Sequence, residues 1–202
     1  MPQPLTEQEI HLVREKIQGK YAQVAAAPAG RFRYPTGSEG LRLQQYPQEI
    51  IQGFPQTVLD SFCGVGNPFS LGPIYPGEAV LDIGCGAGVD SFVAAWMVGP
   101  QGRVIGIDVT AEMLAKARTN QPLLDLANIS FQAAEAESLP FPDQEFDVVI
   151  SNGVINLTLN KEKALGEAYR VLKPGGRLMM ADMVLVQDLA PDRAGKIANW
   201  YQ

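Results

Sequence analysis

Histidine is almost absent from this chain and cysteine is scarce: 202 residues include one histidine, His11, and two cysteines, Cys63 and Cys85. A single histidine excludes a multi-histidine metal centre, and no metal site is expected. Two cysteines make no disulfide framework, so a reducing, cytoplasmic setting is expected. Long apolar runs are missing as well. None approaches the roughly 18 residues of a membrane span, and the polar N-terminus has no signal-peptide pattern. Positive charge is in deficit, with 16 Lys and Arg against 22 Asp and Glu and a net charge of -6. That balance argues against a nucleic-acid partner, which needs a basic face, and it suits a cationic ligand.

What is present is an ordinary globular composition, 46% hydrophobic and 19% charged, in a length that fits one domain with a real core. Residues 1–75 read as an irregular helical layer. Thr6 is a candidate N-cap with Glu9 completing a capping box, and Ile10, Val13, Ile17, Tyr21 and Val24 then fall on one helical face. That helix packs on the domain or acts as a lid over a ligand; Pro28 ends it. Gly30–Gly40 reads as loop, and Pro47 and Pro55 open two short helical stretches.

From 76 to 202 the texture changes to alternating strand and helix. Strands are expected near 79–83, 103–107, 129–132, 146–150 and 177–181, with helices near 88–98, 111–119 and 160–172. This alternation means βαβ units, and so a doubly wound, mostly parallel, Rossmann-like α/β sheet with helices on both faces. Pro191 is expected to open a last helix.

The stretch Ala79-Val80-Leu81-Asp82-Ile83-Gly84-Cys85-Gly86-Ala87-Gly88 carries the chemistry. It is a buried strand running into a glycine turn, where backbone can approach a ligand that a Cβ would block. Asp108 ends the next strand about 20 residues later, the spacing at which a carboxylate reaches a ribose hydroxyl. Three details separate the candidate ligands. The spacing is Gly84-x-Gly86-x-Gly88, with Val89 and Ser91 where the dinucleotide pattern wants its last glycine. Asp82 at the strand tip would repel a pyrophosphate but help an ammonium or sulfonium, directly or through water. No Lys or Arg occurs between Asp82 and Trp96 to answer phosphate charge. S-Adenosylmethionine fits these constraints; NAD fits them less well.

These residues resemble the class I S-adenosylmethionine-dependent methyltransferases. Leu81–Gly88 looks like their first motif, Ile107-Asp108-Val109-Thr110 with Glu112-Met113-Leu114 their second-strand motif, Ala136–Phe141 with Phe146–Val149 the segment flanking adenine, and Val171–Leu178 the helix-turn-strand that follows. A narrower resemblance is to the arsenite methyltransferase branch and the neighbouring ubiquinone/menaquinone methyltransferases. It rests on Gly64–Pro68, Val109–Leu114 and Ile150–Leu157. Arsenite methyltransferases place cysteines, the soft ligands of trivalent arsenic, where this chain has Val65 and Gly153. The resemblance therefore implies a relative with a different acceptor.

The same resemblance implies the site. Gly84, Cys85 and Gly86, with Asp82 nearby, would hold the methionine part of S-adenosylmethionine, and Asp108 would take the ribose hydroxyls. Val109 and Met113 would flank the adenine, with Glu135 and the backbone of Ala136 at its Watson–Crick edge. Asn152 would border the methionine amino group and the transferred methyl. The product would be S-adenosylhomocysteine and the acceptor a small molecule. No residue stands out as a general base. The family usually adds two strands after the fifth, whereas the residues after Ala181 suffice for one helix. The expected sheet thus lacks its last two strands, and its fifth-strand edge would invite a second copy of the chain. Two other functions remain open from the residues: a module that holds the nucleoside without turnover, and a nicotinamide oxidoreductase.

Overall fold

Five runs rich in β-branched and other apolar residues form the sheet. They are β1 (Ala79–Ile83), β2 (Arg103–Asp108), β3 (Ile129–Ala133), β4 (Phe146–Asn152) and β5 (Leu172–Ala181). The computed structural model describes residues 5–184; the helix expected from Pro191 lies outside them. The strands lie in the order β3-β2-β1-β4-β5, and every pairing is parallel. All five residues of β1 are buried, as a central parallel strand covered on both faces requires. The mostly parallel, doubly wound fold expected from the sequence is the one observed.

Strand alternation divides the core. On one face Val80, Val104, Val148 and Ile150 pack against α5 (Val89–Val98) and α6 (Ala111–Asn120). On the other, Leu81, Ile83, Phe146 and Val149 meet Ala164, Ala168 and Val171 of α7 (Lys161–Val171). α5 is apolar nearly all round because it is buried except at Trp96 and Met97: the sheet lies beneath it, and Ile50, Phe54 and Val58 of the N-terminal layer belong to the same cluster. Asp147, the one polar interruption in the Phe146–Ile150 run, accepts from the Ala79 amide at 2.9 Å and from Lys173 Nζ at 2.8 Å. It thus ties the entry of β1 to β5.

The N-terminal residues form four helices, α1 (Glu7–Ala26), α2 (Gly37–Leu43), α3 (Gln48–Ile51) and α4 (Gln56–Leu59). Thr6 and Glu9 make the reciprocal capping box. The expected loop Gly30–Gly40 is in fact helical from Gly37. A side chain on Gly40 would lie 2.6 Å from the Pro35 carbonyl, so glycine here allows a tight helix entry rather than marking irregular chain. The fifth strand also differs from expectation. It begins at Leu172, and the Pro174-Gly175-Gly176 stretch between the expected helix and strand is an irregularity inside it, where the register jumps from Phe146↔Leu172 to Val148↔Arg177.

Phe92 is fully buried between β3 and α5, edge-on to Phe131 with ring centroids 5.7 Å apart. Phe92→Ala should lower unfolding free energy by about 3–5 kcal/mol, read as a shifted urea midpoint at unchanged m-value.

Candidate functional site

The strand order reverses direction of travel at β1, so the crossovers leaving β1 and β4 diverge and open a crevice above the strand tips. This is where open α/β sheets bind ligands. A cleft of about 160 Å³ occupies that position. Its floor is Ile83, Gly84 and Gly86 of the first turn, and one wall is Ile107, Asp108, Val109 and Thr110 at the end of β2. Met113 from α6 and Ala134–Glu137 after β3 form the far end, and Asn152–Val154 after β4 the near end. Arg14, Ile17, Gln18 and Tyr21 of α1 lie across the top.

The glycine turn is held by β2. The amides of Gly84 and Cys85 both donate to the Ile107 carbonyl at 2.8 Å, and the Gly86 amide donates to Asp108 Oδ2 at 2.9 Å. Gly84 has φ +73° and a side chain there would overlap Val154; Gly86 has φ +51°. Both positions therefore favour glycine on conformation, and Gly84 on space as well. The turn leaves a backbone-lined cradle facing the Asp108 carboxylate.

Asp108 Oδ1 also accepts from the Thr110 amide at 2.8 Å. Burial pushes its pKa up, and the amide bonds from Thr110 and Gly86 pull it back down. Each carboxylate oxygen keeps a second lone-pair direction, so the group can still accept from a diol in the cleft. Arg14 is the one cation among the described lining residues, and its Nη2 pairs with Glu135 Oε2 at 2.9 Å. The cradle is consequently built for hydroxyls and positive charge rather than for a pyrophosphate.

Of the sequence-derived candidates, Gly84, Gly86, Asp108, Val109, Met113, Glu135, Ala136 and Asn152 all line this cleft. Asp82 and Cys85 do not. Asp82 alternates with Leu81 and Ile83 and so emerges on the α5 face, buried, where Oδ2 accepts from Ser91 Oγ at 2.5 Å. It fixes the first turn of α5 to β1 and does not line the cleft. Cys85 is buried in the cluster on the same face. Asn152 reaches the cleft wall, but its amide is engaged by the 65–66 backbone, Tyr46 and Asp90.

Val65 and Gly153, distant in sequence, are neighbours: a Cβ on Gly153 would lie 3.2 Å from Val65 Cγ1. Arg14, Gln18, Tyr21, Cys63 and Leu157 also line the cleft without having been singled out as ligand contacts. For the α1 residues the apolar face containing Ile17 and Tyr21 was the available signal. For Cys63 there was none, because its approach depends on the path of the whole N-terminal layer.

A family model described as a methyltransferase domain matches residues 74–201. The chain belongs to this family. S-Adenosylmethionine is the family's cofactor, and the cradle, the Asp108 carboxylate and the pairing of Arg14 with Glu135 fit it. Among its relatives, an arsenite methyltransferase of Halobacterium salinarum is 49% identical over 121 residues, which is 60% of this chain and 31% of that protein. A ubiquinone/menaquinone biosynthesis C-methyltransferase of Hydrogenovibrio crunogenus is 43% identical over 120 residues, 57% of this chain and 46% of that protein. The chain thus spans less than half the length of either. Among solved structures, an arsenic(III) S-adenosylmethionine methyltransferase from Chlamydomonas reinhardtii matches 67% of this chain and 48% of its own at 38% identity and a TM-score of 0.60. A SAM-dependent methyltransferase from Aquifex aeolicus matches 79% of both chains at 26% identity and a TM-score of 0.55.

Two predictions rest on the cleft wall. Burial pushes the Cys63 thiol up to about 12, so little thiolate forms at neutral pH. Its alkylation by iodoacetamide at pH 8 should run at least about a hundredfold slower than that of free cysteine and should rise with pH, followed by peptide mass spectrometry. Arg14 and Glu135 are each about half exposed. Arg14→Ala should therefore change stability by no more than about 1 kcal/mol in thermal unfolding.

Proposed function

We propose that this domain transfers a methyl group from S-adenosylmethionine to a small-molecule acceptor. The observation that carries the reading is the Asp108 carboxylate facing a cradle of Gly84 and Gly86, both at positive φ, with no room for a Cβ at Gly84. Bound S-adenosylmethionine supplies an electrophilic methyl on a sulfonium. In this reading the Gly84–Gly86 backbone takes the methionine portion and Asp108 accepts from both ribose hydroxyls. Val109 and Met113 flank the adenine, and Glu135 with the Ala136 backbone meets its edge. Asn152 borders the methyl.

The chain's contribution is orientation and exclusion of water, since an in-line displacement depends on holding donor and acceptor in near-attack geometry. Residues 1–75 act as a layer over the sheet domain, with α1 as the lid: Ile17 and Tyr21 cover the cleft, and the Arg14–Glu135 pair closes one end of it. Glu135 then exchanges Arg14 for the adenine edge when the nucleoside enters.

The acceptor is a small molecule other than trivalent arsenic. Val65 and Gly153 put an aliphatic contact where a thiolate pair would be needed, and Cys63 is held as a thiol. Nucleic acid is disfavoured by the net charge of -6 and by the pairing of Arg14. No described helix is long and apolar enough to cross a membrane, and with Cys63 and Cys85 both free the reaction is assigned to the cytoplasm. Among the described residues β5 pairs only with β4, and a second copy of the chain is proposed to cover that edge; sedimentation as a monomer would refute the dimer.

The aliphatic Val65–Gly153 contact also favours a second reading, a module that holds the nucleoside without turnover. Calorimetry with S-adenosylmethionine and S-adenosylhomocysteine, followed by a methyl-release assay over candidate acceptors, separates the two. In the first reading Asp108→Asn weakens S-adenosylhomocysteine binding by about ten- to a hundredfold, the scale of hydrogen bonds to a charged group, at little cost in melting temperature. Saturable NADH binding tighter than that of S-adenosylmethionine would overturn both.

A further inference from the structure

Behind the glycine turn, next to the cleft wall at Asn152, four segments converge on one buried polar cluster. Asp90 lies in the first turn of α5 and is 8% exposed; Tyr46, after α2, is 1% exposed. Tyr46 Oη donates to Asp90 Oδ1 at 2.6 Å. Asn152 Nδ2, at the end of β4, donates to Asp90 Oδ2 at 2.9 Å and to the Gly66 carbonyl at 2.8 Å, and lies 3.1 Å from Tyr46 Oη. The other side of the same amide faces the loop: Oδ1 accepts from the amides of Val65 at 2.8 Å and Gly66 at 3.1 Å.

The orientation of the Asn152 amide follows from its neighbours. An NH₂ group aimed at Val65 and Gly66 would oppose two N–H donors, and an oxygen aimed at Asp90 would oppose a carboxylate. The loop amides, the Gly66 carbonyl and the Asp90 carboxylate therefore favour the same orientation, and Asp90 anchors it to α5. Burial raises Asp90 to about 6, with the bonds from Tyr46 and Asn152 acting against that rise, so the group is ionised at pH 7.5.

The loop has no slack. A side chain on Gly64 would collide with Asn152, and one on Gly66 would come within 2.7 Å of the Ala181 side chain. Cys63, adjoining this loop, forms part of the cleft wall. Tyr46 is itself wedged edge-on against Phe62 and Phe69, with ring centroids 5.1 and 5.8 Å away.

We infer that Asp90, which does not touch the cleft, is a positioning residue: through Tyr46 and the Asn152 amide it fixes the 63–66 loop that closes the wall beside the proposed methyl position. The inference rests on the proposed donor site for its consequence, but the loop mechanism itself stands on the hydrogen bonds. A side chain at 90 that presents an acceptor to Asn152 Nδ2 keeps this arrangement; one that presents none breaks it.

The test is amide hydrogen exchange of the ligand-free full chain at pH 7.5, resolved for Val65 and Gly66 by NMR, with β1 amides as the internal reference for global stability. In Asp90→Leu, which removes both acceptors at similar volume, Asn152 loses its anchor on α5, and protection at Val65 and Gly66 falls at least tenfold while β1 is unchanged. In Asp90→Asn the new amide turns its oxygen to Asn152 Nδ2 and its NH₂ to Tyr46 Oη, so protection stays within about threefold of wild type. Tyr46→Phe, which keeps the ring and the Asn152–Asp90 bond, lowers loop protection less than Asp90→Leu does and serves if the latter does not fold. Unchanged protection in Asp90→Leu, a loss equal at the loop and in β1, or a loss in Asp90→Asn as large as that in Asp90→Leu would overturn the inference. So would a Tyr46→Phe effect as large as that of Asp90→Leu. Calorimetry with S-adenosylhomocysteine on the wild type runs alongside. Failure there removes the donor reading and leaves the loop result intact.

Discussion

The turn from Gly84 to Gly88 hangs from the tip of β2. Ile107 accepts two successive amides of the turn through its carbonyl and Asp108 accepts a third through its side chain. Parallel pairing of β1 with β2 brings those acceptors into reach, because the register sets Ile83 opposite Ile107. Once the turn is held this way, Gly88 starts α5 with φ +93°, and the helix runs back over the sheet. The cleft is the space this arrangement leaves between β1 and β4. Sheet register, helix placement and site geometry are thus consequences of one set of short backbone contacts.

That geometry explains why the acids near the turn have separate tasks. Asp108 faces the cleft with both oxygens already anchored by amides, which fixes its direction without consuming its full acceptor capacity. Asp82 and Asp90 lie behind the turn, on the face of the sheet that α5 covers. Burial raises the pKa of both, a cost in stability at neutral pH that is accepted where the groups bond Ser91, Tyr46 and Asn152. A buried polar network of this kind specifies arrangement more than it adds stability. Here it joins α5, β4 and two segments of the N-terminal layer at a single point.

The N-terminal layer is where local sequence said least. Its short helices α2, α3 and α4 have no strong periodicity, and their order comes from Tyr46, Phe62 and Phe69 packing against one another and against α5. Gly40 and Gly64 look like loop residues in a linear reading. In the folded chain each is glycine because another segment occupies the place of a side chain, Pro35 in one case and Asn152 in the other. Cys63 belongs to the same class: it meets residues of β2 and β4, distant in sequence, on the cleft wall.

The alternation of apolar strands and helical lengths from Ala79 onward was enough to determine the α/β class, the parallel sheet and the glycine turn, because strand periodicity and positive-φ glycines are local properties. Asp108 was legible for the same reason, as a carboxylate ending a strand at a fixed distance from that turn. Tertiary structure alone decided which way each acid points. Asp82 turned from the cleft because its neighbours Leu81 and Ile83 claim the other face of β1. Asn152 turned its amide oxygen toward Val65 and Gly66 because the loop amides and Asp90, brought close by α5, leave it one favourable orientation. Such choices depend on what lies across the sheet, and a linear pattern carries no record of that.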